Sequence, residues 1–247
     1  MISFFRKLRQ KLLKENRVTR YLIYALGEIL LVVIGILIAL WVNNLNQEAL
    51  NDAREEKILL GLKAEFETAA IELQTDLDGR NRHYKATSRL LDFHTGQKEL
   101  KIPQDSIQPI LTSFISTRFY STGHPVLEDL SSSGGLELIK SEKVRQSLAA
   151  YLQERNRYTV VEERESEFVY DQLIPVVSEF LDYSKVEKGL TSSEELESTF
   201  RNEKGNKRYG SVLQLRLVRI RISRNYGLRL LETIEDVLDQ LSKELTK

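Results

Sequence analysis

The chain has 247 residues, room for one large domain or two small ones, and its 41% hydrophobic and 29% charged residues with only 12 Gly and 4 Pro describe a helix-rich folded chain, not a collagenous or disordered one. Its 36 basic and 36 acidic residues cancel, which argues against a nucleic-acid binder, since those carry a basic excess. With no Cys, disulfides, thiol nucleophiles and Cys-ligated metal sites are excluded.

The zero net charge hides an asymmetry. Residues 1–20 hold seven basic side chains against Glu15 alone, whereas residues 44–247 hold 29 basic and 34 acidic ones. In this basic arm Ile2, Phe5, Leu8 and Leu12 fall at helical spacing, which fits an amphipathic helix on an anionic leaflet or a plain topogenic tail. Residues 21–42 follow, an apolar run whose only charge is Glu28, and at 1.5 Å per residue it reaches about 33 Å, enough for a hydrocarbon core. Tyr21, Tyr24 and Trp41 stand near its ends, as interfacial aromatics do. The run is too long for a signal-peptide core and ends in Trp41-Val42-Asn43-Asn44-Leu45 without a small-residue cleavage site, so it reads as an uncleaved transmembrane anchor. The basic flank precedes it, which predicts a cytoplasmic N-terminus and an exported domain over 43–247, periplasmic in a bacterium with two membranes. No second apolar run of about 18 residues follows, so a single crossing is expected.

Glu28 lies seven residues inside the span, where a bare carboxylate costs about 2–3 kcal/mol on insertion scales. On a helical wheel it aligns with Val32, Gly35, Ala39, Val42 and Asn46, a small and polar stripe of the kind that lets membrane helices approach. Two readings fit. Glu28, Val32, Gly35 and Ala39 mark a contact face for a partner helix or a second copy, or Glu28 is protonated or snorkels toward Tyr24 or Arg20.

The remainder reads as helices. From Asn46 to Leu91 there is no Pro, and Ile58, Leu62, Phe66, Ala69, Leu73, Leu77, Tyr84 and Leu91 recur in steps of three, four and seven. The stretch 43–48 lacks a strong breaker, leaving this helix free to continue out of the span. Gly96 and Pro103 bound a loop; a helix is predicted over Asp105–Phe119, a break at 121–125 and a short helix over Val126–Ser132. Ser141 is positioned to cap a helix running to Tyr183 with a kink at Pro175, and Ser192 or Ser193 to cap one over Glu194–Phe200. Last, Leu213, Leu217, Ile220, Arg224, Gly227, Leu231, Ile234, Leu238, Leu241 and Leu245 form a coiled-coil-like seam. Alternation over 213–217 would also fit a strand, but the phase break at Val218 favours helix. Arg224 is the polar position of that seam, either buried against a carboxylate or snorkelling outward. The fold class is all-α: an N-terminal transmembrane helix followed by a long-helix bundle.

Groups that carry chemistry are sparse. His83, His94 and His124 have no metal-ligand spacing and read as surface or loop residues, so neither metal nor cofactor is expected. Glu162, Glu163, Glu165 and Glu167, interrupted by Arg164, look like a solvated helix face. Ser131-Ser132-Ser133-Gly134-Gly135 lacks the phosphate-loop pattern and reads as a helix C-terminus with a left-handed glycine.

Three N-terminal strings carry a resemblance: Gly27-Glu28-Ile29, then Val32-Val33-Ile34-Gly35-Ile36-Leu37-Ile38-Ala39-Leu40, then Asn43-Asn44. They resemble a family of uncharacterised, single-span bacterial membrane proteins containing a domain of unknown function. Leu45-Asn46-Gln47 departs from that family's usual Trp-Asn-Glu ending, and Leu130–Ile139 is similar to its Leu-x-Ser-Ser-Gly-x-Leu-x-Leu-Ile. The resemblance implies the topology and no activity. The expected function is binding rather than catalysis: an interaction or scaffold module of the cell envelope, in contact with the lipid bilayer and with an envelope protein or a second copy, and without nucleic acid. A ligand-sensing bundle is the alternative, and an enzyme the third reading.

Overall fold

A computed structural model describes Lys7, Gln10 and residues 18–246, and among these residues every regular element is helical. The arm pattern at Ile2, Phe5, Leu8 and Leu12 lies outside the described residues. Helix α1 runs Val18–His94 without a proline, and the breaker-free 43–48 stretch stays helical within it. The chain divides into two units, Met1–Glu56 and Lys57–Lys247, with the boundary inside α1.

In the first unit the large apolar side chains from Leu22 to Val42 are exposed. This is a helix near the N-terminus long and apolar enough to cross a membrane.

The second unit is built on three long helices, the C-terminal part of α1 and two others introduced below, with short helices between them. After the 96–103 loop come a 3-10 turn and α2 (Ile107–Ile115), then α3 (Pro125–Ser133), with Pro125 at the first helical position where its missing N–H costs nothing. The expected helix to Phe119 stops four residues early. Ser116 is extended (ψ 157°), and residues 116–124 form a non-helical strap whose carbonyls are taken by arginines described below. Gly134 ends α3 with φ 74°, the left-handed C-terminus expected of the serine–glycine run. Helix α4 (Glu142–Phe168) begins after Ser141, whose hydroxyl makes no capping bond. Its expected continuation to Tyr183 is a π turn (Val169–Leu173) and α5 (Ile174–Ser178). The Ile174 N–H bonds back to Val169 O just ahead of Pro175, whose ring crowds the carbonyl four residues earlier and favours the wider turn. Helices α6 (Tyr183–Glu187) and α7 (Ser193–Asn202) follow, the latter capped by Ser192, whose Oγ accepts the Glu195 N–H at 3.1 Å.

Helix α8 (Lys207–Leu245) has no strand within it, and its buried line is Leu213, Arg216, Ile220, Ser223, Gly227, Leu230, Ile234, Val237, Leu241. Four of the ten seam positions are therefore displaced by one residue: Leu217, Arg224, Leu231 and Leu238 are only half-buried, and the polar inward positions are Arg216 and Ser223. At Gly227, where the expected and the observed lines coincide, two partners press close. A Cβ on Gly227 would meet both Leu77 of α1 (2.8 Å) and Tyr158 of α4 (3.1 Å).

The core is split. One apolar cluster holds Leu59–Leu77 of α1, Val144–Tyr158 of α4 and Leu230–Leu241 of α8, with Leu127 and Leu130 of α3. The other holds Ala86–Phe93, the α2 side chains, Phe168–Val177 and Leu196–Leu213. Between them all three long helices turn polar side chains inward, with Ile220 of α8 among them.

Candidate functional site

The polar layer is built by helical phase. Leu73, Asp76, Arg80, His83, Thr87 and Leu90 follow alternating steps of three and four on α1, so the charged members face the core as the leucines do. On α4 the line Tyr151, Tyr158, Glu162, Glu165, Val169 does the same. Arg80, with no exposed surface, binds three carboxylates: Asp76 from Nε at 2.7 Å, Glu165 from Nη1 at 2.7 Å and Glu162 from Nη2 at 2.8 Å. Arg216, equally buried, reaches Glu165 at 2.7 Å. Arg118 bonds Asp76 at 2.9 Å, Tyr158 donates to Asp76 at 2.7 Å, and Ser223 donates to Glu165 at 2.5 Å.

The same groups grip the strap. Arg216 Nη2 donates to Ser116 O (2.7 Å), Arg80 Nη2 to Arg118 O (2.9 Å) and Arg155 Nη2 to Tyr120 O (2.5 Å), while Glu162 accepts the Tyr120 N–H (2.7 Å). A non-helical segment laid on a core has backbone groups that must find partners, and here charged side chains from α1, α4 and α8 supply them. The chemistry of this layer is structural: it pins irregular backbone between two apolar cores.

Electrostatics follow the geometry. Burial would raise Asp76, but Arg80 and hydrogen bonds from Tyr158, Arg80 and Arg118 hold it below its ordinary value. Burial pushes Glu162 up to about 7 against the pull of the Tyr120 amide and Arg80. Burial, then Arg216, Arg118 and Arg80, push His83 down to about 3, so its ring is neutral; its Nε2 lies 3.3 Å from Ser116 Oγ.

Two expectations are corrected here. Glu162 and Glu165 are not part of a solvated face, although Glu163 and Glu167 are exposed. His83 and His124 are buried rather than superficial, while His94 is half-buried, edge-on to Tyr209 at 5.3 Å. Charged residues in core phase on three helices were the readable signal for the polar layer. Among the described residues no three His, Asp or Glu side chains are placed to hold a metal ion.

A second feature opens on the outside of the first core, where α3, α4 and the end of the strap enclose a groove of about 670 Å³. Its buried floor is His124 and Tyr151, with Nε2 and Oη 2.5 Å apart. Helix α3 is held to α1 there, because Glu65 accepts the Val126 N–H at 2.6 Å at the positive end of α3.

Residues 28–192 match a family described as a family of unknown function (DUF6090). The chain belongs to that family. No curated protein and no solved structure matches it. In this DUF6090 chain the matched segment begins at Glu28 and ends at Ser192, so it contains the strap, both walls of the groove and the carboxylates Glu162 and Glu165. Arg216 and Ser223, which complete the polar layer, come from α8 beyond it. In the apolar segment of α1, Glu28, Val32, Gly35 and Ala39 are all exposed, and a Cβ on Gly35 would meet no atom within 4 Å. Arg224 lies half-buried at the flank of the α8 seam.

Proposed function

We propose that this DUF6090 protein is a membrane-anchored module of the bacterial envelope that acts by binding. Residues 21–42 of α1 cross the inner membrane once, the basic arm stays in the cytoplasm, and the bundle stands in the periplasm. The observation that carries the reading is the exposure of every large apolar side chain from Leu22 to Val42, together with the face of Glu28, Val32, Gly35 and Ala39, which leaves the segment available to lipid and to a second helix. The buried carboxylates of the bundle support a binding rather than a catalytic role, since Asp76, Glu162 and Glu165 are engaged in holding the strap. Crosslinking in native membranes followed by purification in mild detergent tests it. A specific second protein is expected with the wild type and is lost with Glu28→Leu; recovery of the chain alone from both removes the partner role of Glu28.

A second reading, a ligand-sensing bundle, is favoured by the groove between α3 and α4. Its volume lies in the range of small-molecule sites, and polar side chains converge on an aromatic floor.

A further inference from the structure

We propose that the α3–α4 groove binds a short-chain alkylammonium ligand, with the ammonium at Glu128 and the chain along Leu152. The inference rests on the ligand-sensing reading and names the chemistry that reading would require.

Four observations converge. The first is the floor. His124 is 6% exposed, its Nε2 is engaged with Tyr151, and its Nδ1 has no hydrogen-bond partner among the described residues. A buried polar atom left alone costs on the order of 1–3 kcal/mol, and such atoms recur where a bound molecule completes the site. Burial, with Arg155 nearby, holds the imidazole below its usual range, so the floor adds no positive charge at neutral pH.

The second is the state of the hydroxyls. Ser131 donates to Leu127 O at 2.7 Å, Ser132 to Asp129 O at 3.1 Å and Thr159 to Arg155 O at 3.0 Å. With the protons committed to backbone, Ser131 and Ser132, both lining the groove, have acceptor lone pairs left to offer. An incoming group rich in donors fits them; one rich in acceptors does not.

The third is charge. Arg155 is the cation among the groove's lining residues, and it is spent: its guanidinium bonds Tyr120 O and Thr159, lies 3.6 Å from Glu162 and covers the Tyr120 ring at 4.9 Å. Glu128, exposed on the opposite wall, has no ion pair among the described residues. Glu72 adds a further carboxylate beside the groove, where it accepts the Thr122 hydroxyl. An anionic ligand would face these carboxylates with no free cation in the groove to hold it. The fourth is the apolar wall. Leu152 on the α4 wall is 43% exposed, so a methylene chain laid against it removes apolar surface from water.

The test uses the full chain in an uncharged detergent, labelled with ¹⁵N-histidine. The chain has three histidines, and His124→Gln assigns the relevant ring. Three probes of equal length are titrated at constant ionic strength: 1,5-diaminopentane, 1,5-pentanediol and glutarate. The diamine is expected to shift the His124 ring signals saturably, the other two not at the same concentrations. Glu128→Gln is expected to weaken the diamine by about tenfold or more, as loss of a charge-assisted bond does, while Glu163→Gln on the exposed side of α4 leaves it unchanged. Saturable shifts with pentanediol or glutarate in place of the diamine overturn the ligand class and leave ligand sensing standing. No shift with any probe overturns both. Equal diamine affinity in Glu128→Gln overturns the placement of the ammonium. A blocked Gly-Lys-Gly peptide in the same titration separates the sources of the amine: tighter binding than the diamine assigns a lysine side chain, weaker binding a free amine, and each supports the class.

Discussion

Arg80 illustrates how one side chain holds the bundle. Its three nitrogens meet Asp76, Glu162 and Glu165, and no part of it is exposed. Replacing a buried ion pair wholesale by apolar groups is often harmless, but removing one partner leaves buried charge behind. Arg80→Met is therefore expected to cost about 3–5 kcal/mol in urea denaturation. Titration of the neighbours gives a second prediction at this scale. Glu162 is raised to about 7 in the folded chain, so from about pH 5 to 6.5 it carries a proton when folded and none when unfolded; its contribution falls as pH rises. His83, pushed down to about 3, carries a proton only when unfolded over that window, and its contribution rises with pH. The two oppose each other. His124, also held below its ordinary value by burial, adds to the rising side, so relative to wild type His83→Gln should make the slope of stability against pH more negative by roughly 1 kcal/mol per pH unit, and Glu162→Gln should make it more positive by a similar amount. Denaturation midpoints at pH 5.0, 5.75 and 6.5 read the slopes.

The phase of α8 is checked by neighbouring leucines. Leu230 is fully buried and Leu231 half-buried, so Leu230→Ala should cost about 2–5 kcal/mol and Leu231→Ala clearly less by the same denaturation assay. Gly227→Ala gains about 1 kcal/mol of helix propensity, yet its methyl would press on Leu77 and Tyr158; a net loss of about 1–2 kcal/mol in thermal or urea unfolding is expected. The long helices were legible because their apolar steps are strong and prolines are few. The phase of α8 was not, because the sequence offers two adjacent lines, and the choice between them is made by Glu165 on α4, which draws Arg216 and Ser223 inward. The strap was legible only as the break expected at 121–125. Residues 116–120 look helical in isolation, and what extends them is the grip of arginines up to 100 residues away. The groove left no mark in the sequence, since its serines and Asn156 are ordinary surface residues until two helices place them together.

For the molecule as a whole, the proposed topology is open to a direct measurement because the chain has no native cysteine. Ser133→Cys in the bundle should react with a membrane-impermeant maleimide in spheroplasts, and Ser3→Cys in the basic arm only after lysis. The reverse pattern would invert the protein in the membrane. The polar layer that divides the two cores also sets an order of events. Its members are synthesised as Asp76 and Arg80, then Glu162 and Glu165, and finally Arg216 and Ser223, which sit in the last helix. Until α8 has emerged, Glu165 shares Arg80 with two other carboxylates, Ser116 O lacks its donor, and one side of each apolar cluster is missing. A chain stopped before α8 therefore leaves charged and apolar groups uncovered together, which makes it more open to proteases than the folded bundle. Helix α8 thus closes the polar layer and covers both apolar clusters with one element.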